Sequence, residues 1–190
     1  AFQEVVSARN GSVIAADMDT MAPTLRQADV GTVLPPVDAP GYSDALRESI
    51  KSHNVQLLVP TIDPELPGLA QMRSSLEADG VLLALSDQSF IRLTRDKLST
   101  LRLFSNQGIR TPKTWTPDES ERADWPDPCF IKPRYGSAST DARCLPSSHV
   151  EMALNRIDAP LIQERVEAPE ITVDALFDLD EGRLLHYVPR

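Results

Sequence analysis

The sequence predicts an α/β protein of two successive units: a half built on a parallel, doubly wound sheet, then an α+β half of mostly antiparallel strands. Three observations carry this reading. Between Val13 and Leu85, short apolar runs alternate with stretches of helical spacing, the pattern of βαβ units. After Ser86-Asp87-Gln88 one amphipathic helix is followed by strand-like runs separated by turns, which favours antiparallel pairing. The length, 190 residues, suits one large domain or two small ones. The boundary falls near residue 93, dividing the chain into 1–93 and 94–190.

In the first half, Ala1-Phe2-Gln3-Glu4-Val5-Val6 reads like the middle of a helix, and Asn10-Gly11 is a signal that closes it. Val13 to Ala16 is short and apolar, hence a buried strand, and it ends in Asp17-Met18-Asp19. Val30 to Leu34 is a second such run. Ser43 is placed to cap a helix that turns Leu46 and Ile50 inward. Val55 to Val59 is the next strand, and Pro60 to Glu65 leaves its C-terminal end. Leu66, Leu69, Met72 and Leu76 stand at helical spacing before Gly80, a C′ position, and Val81 to Leu85 is a further strand. In such sheets ligands lie outside the carboxyl ends of the strands, where Asp17, Asp19, Thr61, Asp63 and Glu65 fall. Carboxylates there hold a substrate amine or an arginine, or simply cap the helices that follow. No Gly-x-Gly-x-x-Gly follows a strand, so a dinucleotide site is unsupported.

In the second half, Thr94-Arg95-Asp96-Lys97 leads into a helix with Leu98, Leu101 and Phe104 on one face and Gly108 beyond its end. Ile109 to Trp115 is a turn into a strand, and residues 116–128, rich in Pro, Asp and Glu, form a surface loop. Phe130-Ile131-Lys132 is an apolar run ending on a lysine, and Gly136 to Thr140 follow as a turn of small and hydroxyl residues. Arg143-Cys144-Leu145 is the returning strand. Ser147 caps a helix whose apolar positions are Val150, Met152, Ala153 and Ile157. Leu161 to Glu164, Glu170 to Asp178 and Arg183 to Val188 are three more strands. The lysine strand delivers one ammonium to a fixed point, and oriented amides beside a lysine make a place for phosphate oxygens. A plain hairpin with a solvated lysine fits that stretch equally well.

Composition excludes several classes. Net charge is −9 and the pI near 4.8, which argues against a nucleic-acid surface, since phosphate neutralisation needs clustered Lys and Arg. No apolar run approaches the roughly 20 residues that span a bilayer, and the N-terminus lacks a signal-peptide pattern. Cys129 and Cys144 give neither a disulfide framework nor metal-ligand spacing, so reduced thiols and a cytoplasmic location are expected. His53, His149 and His186 have no partner at metal or triad spacing. Both ends of the chain are expected to be cut.

Taken together, five pieces resemble the ATP-grasp superfamily, and the whole chain is similar to carbamoyl-phosphate-synthase-type carboxylate–amine ligases. They are Asp96-Lys97 opening a helix; Gly108-Ile109-Arg110-Thr111-Pro112; Phe130-Ile131-Lys132-Pro133 with its small-residue loop; Leu161-Ile162-Gln163-Glu164-Arg165-Val166; and Glu170-Ile171-Thr172-Val173-Asp174. The preceding half matches the family's Rossmann-like preATP-grasp domain, so the resemblance implies that domain over 1–93 and an incomplete α+β ATP-grasp domain over 94–190. It further implies ATP held between two lobes. Lys97 would reach the nucleotide from the helix start, and Lys132 would contact α- and β-phosphate oxygens. Gly136, Ser137 and Ser139 belong to the loop that would fold over the phosphates. Glu164, Arg165 and Val166 would form the hinge that reads the adenine edge, and Glu170 would accept from the ribose hydroxyls. The implied reaction uses ATP and Mg²⁺ to activate a small carboxylate as an acyl phosphate, which an amine or similar nucleophile attacks. The implied partners are ATP and that carboxylate, with no nucleic acid and no membrane, and a homo-oligomer is left open.

The chain departs from the family in three places. Gly136 is a single glycine where relatives usually have several, and Ala168-Pro169 stands where a glycine often precedes the ribose-binding acid. The family's Mg²⁺ ligands are expected beyond Arg190, so this chain would bind ATP in part and not turn over alone. Other readings stay open. Lys97 could pair with Asp96, Lys132 could be a surface lysine, and Glu170 could be plain edge polarity. The chain as a whole could be a non-catalytic nucleotide-binding module, or a Rossmann-like enzyme whose second half is structural.

Overall fold

The computed structural model describes residues 2–119 and 125–190. The chain divides into two compact units, one of residues 1–59 and 71–83, the other of 60–70 and 84–190.

The first unit opens with α1 (Phe2–Ser7), β1 (Ile14–Asp17), α2 (Pro23–Gln27) and β2 (Val30–Val33). Strands β1 and β2 pair in parallel, with Ile14 opposite Val30 and Asp17 opposite Val33. Pro23 suits the start of α2, where its missing N–H would lack a helical partner anyway. Gly31 lets β2 run close under α2: a Cβ there would stand 2.4 Å from the Leu25 carbonyl oxygen. Helix α3 (Tyr42–Ser52) buries Leu46 and Ile50, as its spacing predicts. It starts at Gly41 instead of Ser43, because Gly41 turns the chain with φ of +91°, a left-handed value natural to glycine. Strand β3 (Leu57–Leu58), helix α4 (Leu66–Ala78) and strand β4 (Leu82–Leu83) repeat the βαβ pattern, with β3 and β4 parallel. Gly80 follows α4 in the left-handed conformation expected of C′. The last strand is shorter than the apolar run Val81–Leu85, since only Leu82 and Leu83 find pairing partners. Among the described residues, the parallel strands hydrogen-bond as two separate pairs.

The second unit contains α5 (Gln88–Arg95), α6 (Lys97–Asn106), β5 (Thr114–Trp115), β6 (Cys129–Pro133), β7 (Arg143–Leu145), α7 (Val150–Leu154) and β8 (Pro160–Glu164). Helix α5 is not read from the sequence, although Asp87 caps it by accepting from the Phe90 N–H at 2.8 Å. In α6, Leu98 is buried while Phe104 is 43% exposed; helical spacing aligns a face but does not supply a partner along all of it. The four strands form one antiparallel sheet in the order β5-β8-β6-β7. Cys129, Ile131 and Ile162 project from one face and pack with Val150 and Ile157, flanked by Trp115, Trp125, Leu145 and Leu154. Ser147 does not cap α7. A short 3₁₀ turn, Ser147–His149, comes first, and the Ser147 N–H donates to Asp127 Oδ1 at 2.8 Å, an acceptor twenty residues away.

Strands β9 (Val173–Phe177) and β10 (Leu184–Pro189) form an antiparallel hairpin in which every strand residue is exposed. Glu170, expected at the start of this strand, lies before it. Among the described residues no helix is long and apolar enough to cross a membrane.

Ile131 is fully buried in the α7 face of the sheet. Ile131→Ala should therefore cost about 2–5 kcal/mol of stability, read as a lower urea midpoint.

Candidate functional site

Alternation along a strand sends neighbouring side chains to opposite faces. Because Cys129 and Ile131 fill the α7 face, Phe130 and Lys132 occupy the other. Register extends that second face across the sheet. Phe130 lies opposite both Gln163 on β8 and Cys144 on β7, and Thr114 on β5 lies opposite Gln163. Lys132 lies opposite Leu161, which puts Gln163 at the diagonal position. The Lys132 ammonium donates to Gln163 Oε1 at 2.9 Å and sits 5.8 Å from the Phe130 ring centroid, within cation–π range. Burial lowers the Lys132 pKa, and the nearby Lys97 charge lowers it further.

Lys97 is the first residue of α6. Its backbone N–H donates to the Arg134 carbonyl at 3.1 Å, and its Nζ donates to the Gly136 carbonyl at 2.7 Å. Its pKa is also lowered, first by burial and then by Arg95, while Asp63 and Asp96 oppose the shift. Asp63 is itself drawn toward this region, since its carbonyl accepts from Arg95 Nη1. Thus two half-buried ammonium groups, 35 positions apart in sequence (132 − 97), come near enough for the charge of Lys97 to act on Lys132.

What holds Lys97 in place is Asp96. This residue caps α6, its Oδ1 accepting from the Leu98 and Ser99 N–H groups at 3.1 and 3.3 Å and its Oδ2 from Ser99 Oγ at 2.7 Å. Arg134 then binds both oxygens, Nε to Oδ1 at 2.7 Å and Nη2 to Oδ2 at 2.5 Å. Asp96 is only 8% exposed. The hydrogen bonds from Arg134, aided by Ser99, hold its carboxyl well below the usual carboxylate range. Arg134 also lies 5.5 Å from the Tyr135 ring centroid.

The small-residue loop is exposed. Gly136, Ala138, Ser139 and Asp141 all have positive φ. For Ala138, with φ of 56°, that conformation costs roughly 1–2 kcal/mol. The Thr140 and Ala142 N–H groups close turns onto the Ser137 and Ser139 carbonyls.

The remaining expected residues lie along the end of β8 and beyond it. Glu164 is paired with Cys129, so it shares the α7 face and not the lysine face. Its backbone N–H donates to the Lys113 carbonyl at 2.9 Å. Arg165 pairs with Glu167 at 3.2 Å on the surface. Val166 and Glu170 are exposed. The structure therefore brings Lys97, Lys132 and Gly136 together, with Ser137 and Ser139 following in the same loop. Among the described residues, no hydrogen bond joins either lysine to Glu164, Val166 or Glu170. Sequence reading missed Gln163, Thr114 and the partnership of Asp96 with Arg134. A glutamine inside an apolar strand was a usable signal for the first; nothing local marks the other two.

Residues 94–188 match the ATP-grasp domain family. The chain belongs to the ATP-grasp family. Residues 1–84 match the PylC-like N-terminal domain family. A carbamoyl-phosphate synthase from Methanobrevibacter smithii is 26% identical over 144 residues, covering 72% of this chain and 39% of that protein. Biotin carboxylase from Campylobacter jejuni, solved as a β,γ-ATP complex, superposes with a TM-score of 0.72 at 11% identity, over 97% of this chain and 46% of that one. The biotin carboxylase domain of Hydrogenobacter thermophilus 2-oxoglutarate carboxylase gives a TM-score of 0.65 at 15% identity, over 90% of this chain and 42% of that one. This ATP-grasp chain thus spans less than half the length of each of these proteins.

A carboxyl held below its ordinary range binds protons more readily in the unfolded chain. The stabilisation from Asp96 is whole above the unfolded pKa of about 4 and is lost as pH falls through and below that value. Asp96→Asn should lower stability at neutral pH by about 1–3 kcal/mol. Urea denaturation from pH 6 to acid should also show a shallower acid-side decline than in the unmodified chain.

Proposed function

We propose that this chain is the ATP-holding portion of an ATP-grasp ligase that activates a carboxylate as an acyl phosphate for attack by an amine or similar nucleophile. One observation carries the reading. Lys97 and Lys132, both partly withdrawn from water, hydrogen-bond to neutral carbonyl oxygens beside a loop of small residues, and neither is ion-paired with a described residue. Two ammonium groups without a carboxylate partner favour a polyanionic ligand.

The residues present fit ATP. Lys132 and Lys97 would hold the polyphosphate, with Gly136, Ser137 and Ser139 covering it. Glu164, Arg165 and Val166 would meet the adenine edge largely through backbone groups, and Glu170 the ribose. When bound, ATP supplies the phosphoryl group that makes the carboxylate reactive. The chain's own part is to position and to neutralise charge, which needs no protein nucleophile. Among the described residues no three His, Cys, Asp or Glu side chains come together as a metal site.

The relatives support the substrate class. The Hydrogenobacter domain was solved as a dimer with MgADP, ADP and bicarbonate, and the curated relative is a carbamoyl-phosphate synthase. A small carboxylate, with the domain division kept near residue 93, is the corresponding proposal for this protein.

Each charge-assisted bond to phosphate contributes roughly 1.5–3 kcal/mol. Lys132→Ala should therefore weaken Mg-ATP binding about 10- to 100-fold in a calorimetric titration. No detectable binding by the unmodified chain, or equal binding by the variant, sinks the reading.

A further inference from the structure

Gln163 is buried at 6% exposure in the centre of the sheet, where a polar side chain is costly unless every polar atom is satisfied. Its Nε2 donates to Thr114 Oγ1 at 2.7 Å, and its Oε1 accepts from Lys132 Nζ at 2.9 Å. The direction of this chain of bonds is forced from both ends. The Thr114 hydroxyl spends its single proton on the Pro112 carbonyl at 3.0 Å, so toward Gln163 it can only accept. An ammonium has donors alone, so Lys132 requires an oxygen. Only one orientation of the amide meets both demands.

The charges around it are arranged in keeping. Lys97 is also held by a neutral acceptor, the Gly136 carbonyl. The carboxylate at the head of the same helix, Asp96, has both oxygens occupied by Arg134. A glutamate in place of Gln163 would differ by one atom type and would pair with Lys132 as an ion pair, cancelling one of the two positive charges.

We propose that Gln163 is a positioning residue for Lys132, a neutral acceptor that aims the ammonium toward the phosphates while leaving its full charge for the ligand. Thr114 fixes the amide that does this. The proposal rests on the ATP reading above, and assigns roles to two residues outside it.

The test compares Gln163→Glu, Thr114→Val and Thr114→Ser in the 190-residue chain. ATP affinity is read by calorimetry, and the Lys132 titration by NMR of ¹³C-methylated lysines without nucleotide, assigned with Lys132→Ala. Gln163→Glu should weaken ATP binding about tenfold, the scale of one charge-assisted bond, and should move the Lys132 titration to higher pH. A merely structural glutamine would leave the ATP affinity of a folded Gln163→Glu chain unchanged. Thr114→Val should weaken binding in the same direction, and Thr114→Ser, which keeps the hydroxyl, should restore it. A folded Gln163→Glu chain with unchanged affinity and an unmoved Lys132 titration overturns the proposal. If Gln163→Glu does not fold, wild-type affinity in Thr114→Val overturns it. If the unmodified chain binds no ATP, the ligase reading fails, whereas an unmoved Lys132 titration in a folded Gln163→Glu chain overturns the contact between the two side chains itself.

Discussion

The bidentate pair between Arg134 and Asp96 ties together two pieces of chain 38 positions apart. Arg134 immediately follows β6, and its own N–H is anchored on the Ala159 carbonyl just ahead of β8. Asp96 heads α6 and supplies the oxygens that the first free N–H groups of a helix require. One ion pair therefore sets where α6 begins relative to the end of β6. Lys97, the first residue of that helix, inherits its position. A partly buried pair of this kind adds little net stability compared with apolar packing, but loss of one partner strands the other charge. Its contribution is to register more than to stability.

That register governs a local electrostatic exception. The protein as a whole carries a formal charge of −9, yet neither Lys97 nor Lys132 is ion-paired with a described residue: Asp96 is engaged by Arg134, and Asp63 acts on Lys97 only through its charge. Burial disfavours their charged forms, and so do like charges nearby, Arg95 beside Lys97 and Lys97 beside Lys132. Neutral oxygens from Gly136 and Gln163 offset part of that cost without cancelling the charge. On the proposed reading, the remaining cost is recovered when phosphate arrives. The loop beside them is exposed, with Ala138 held at positive φ and its own N–H groups closing turns on Ser137 and Ser139.

Much of this was legible in the residues. The alternation of apolar runs and helical stretches announced parallel strands, and β1 with β2 and β3 with β4 pair that way. Phe130-Ile131-Lys132 and Leu161-Ile162-Gln163 read as strands because their apolar content leaves no other economical placement. Local signals failed where a distant group competed. Ser147 looked like a cap, but its N–H is taken by Asp127. Ser43 looked like a cap, but Gly41 had already turned the chain. Glu164 stands opposite Cys129 and so takes the α7 face, a placement the sequence did not give; a strand pattern read as continuously apolar does not say which face is which.

Sequence alone determined the order of the strands and of most helices, though not α2 or α5, together with the two-unit character, the two lysines and the small-residue loop. Each of these depends on neighbours within a few positions, where spacing and side-chain chemistry act directly. Only the tertiary structure decided which groups the lysines meet. Gln163 stands 31 positions from Lys132 and 49 from Thr114, and Asp96 and Arg134 are separated as widely. Strand register and a helix start bring them together, and a shift of one residue in either would exchange the faces and dissolve the site. The tie between Arg134 and Asp96 was thus invisible in the sequence, although the motif Asp96-Lys97 that it holds was plain there.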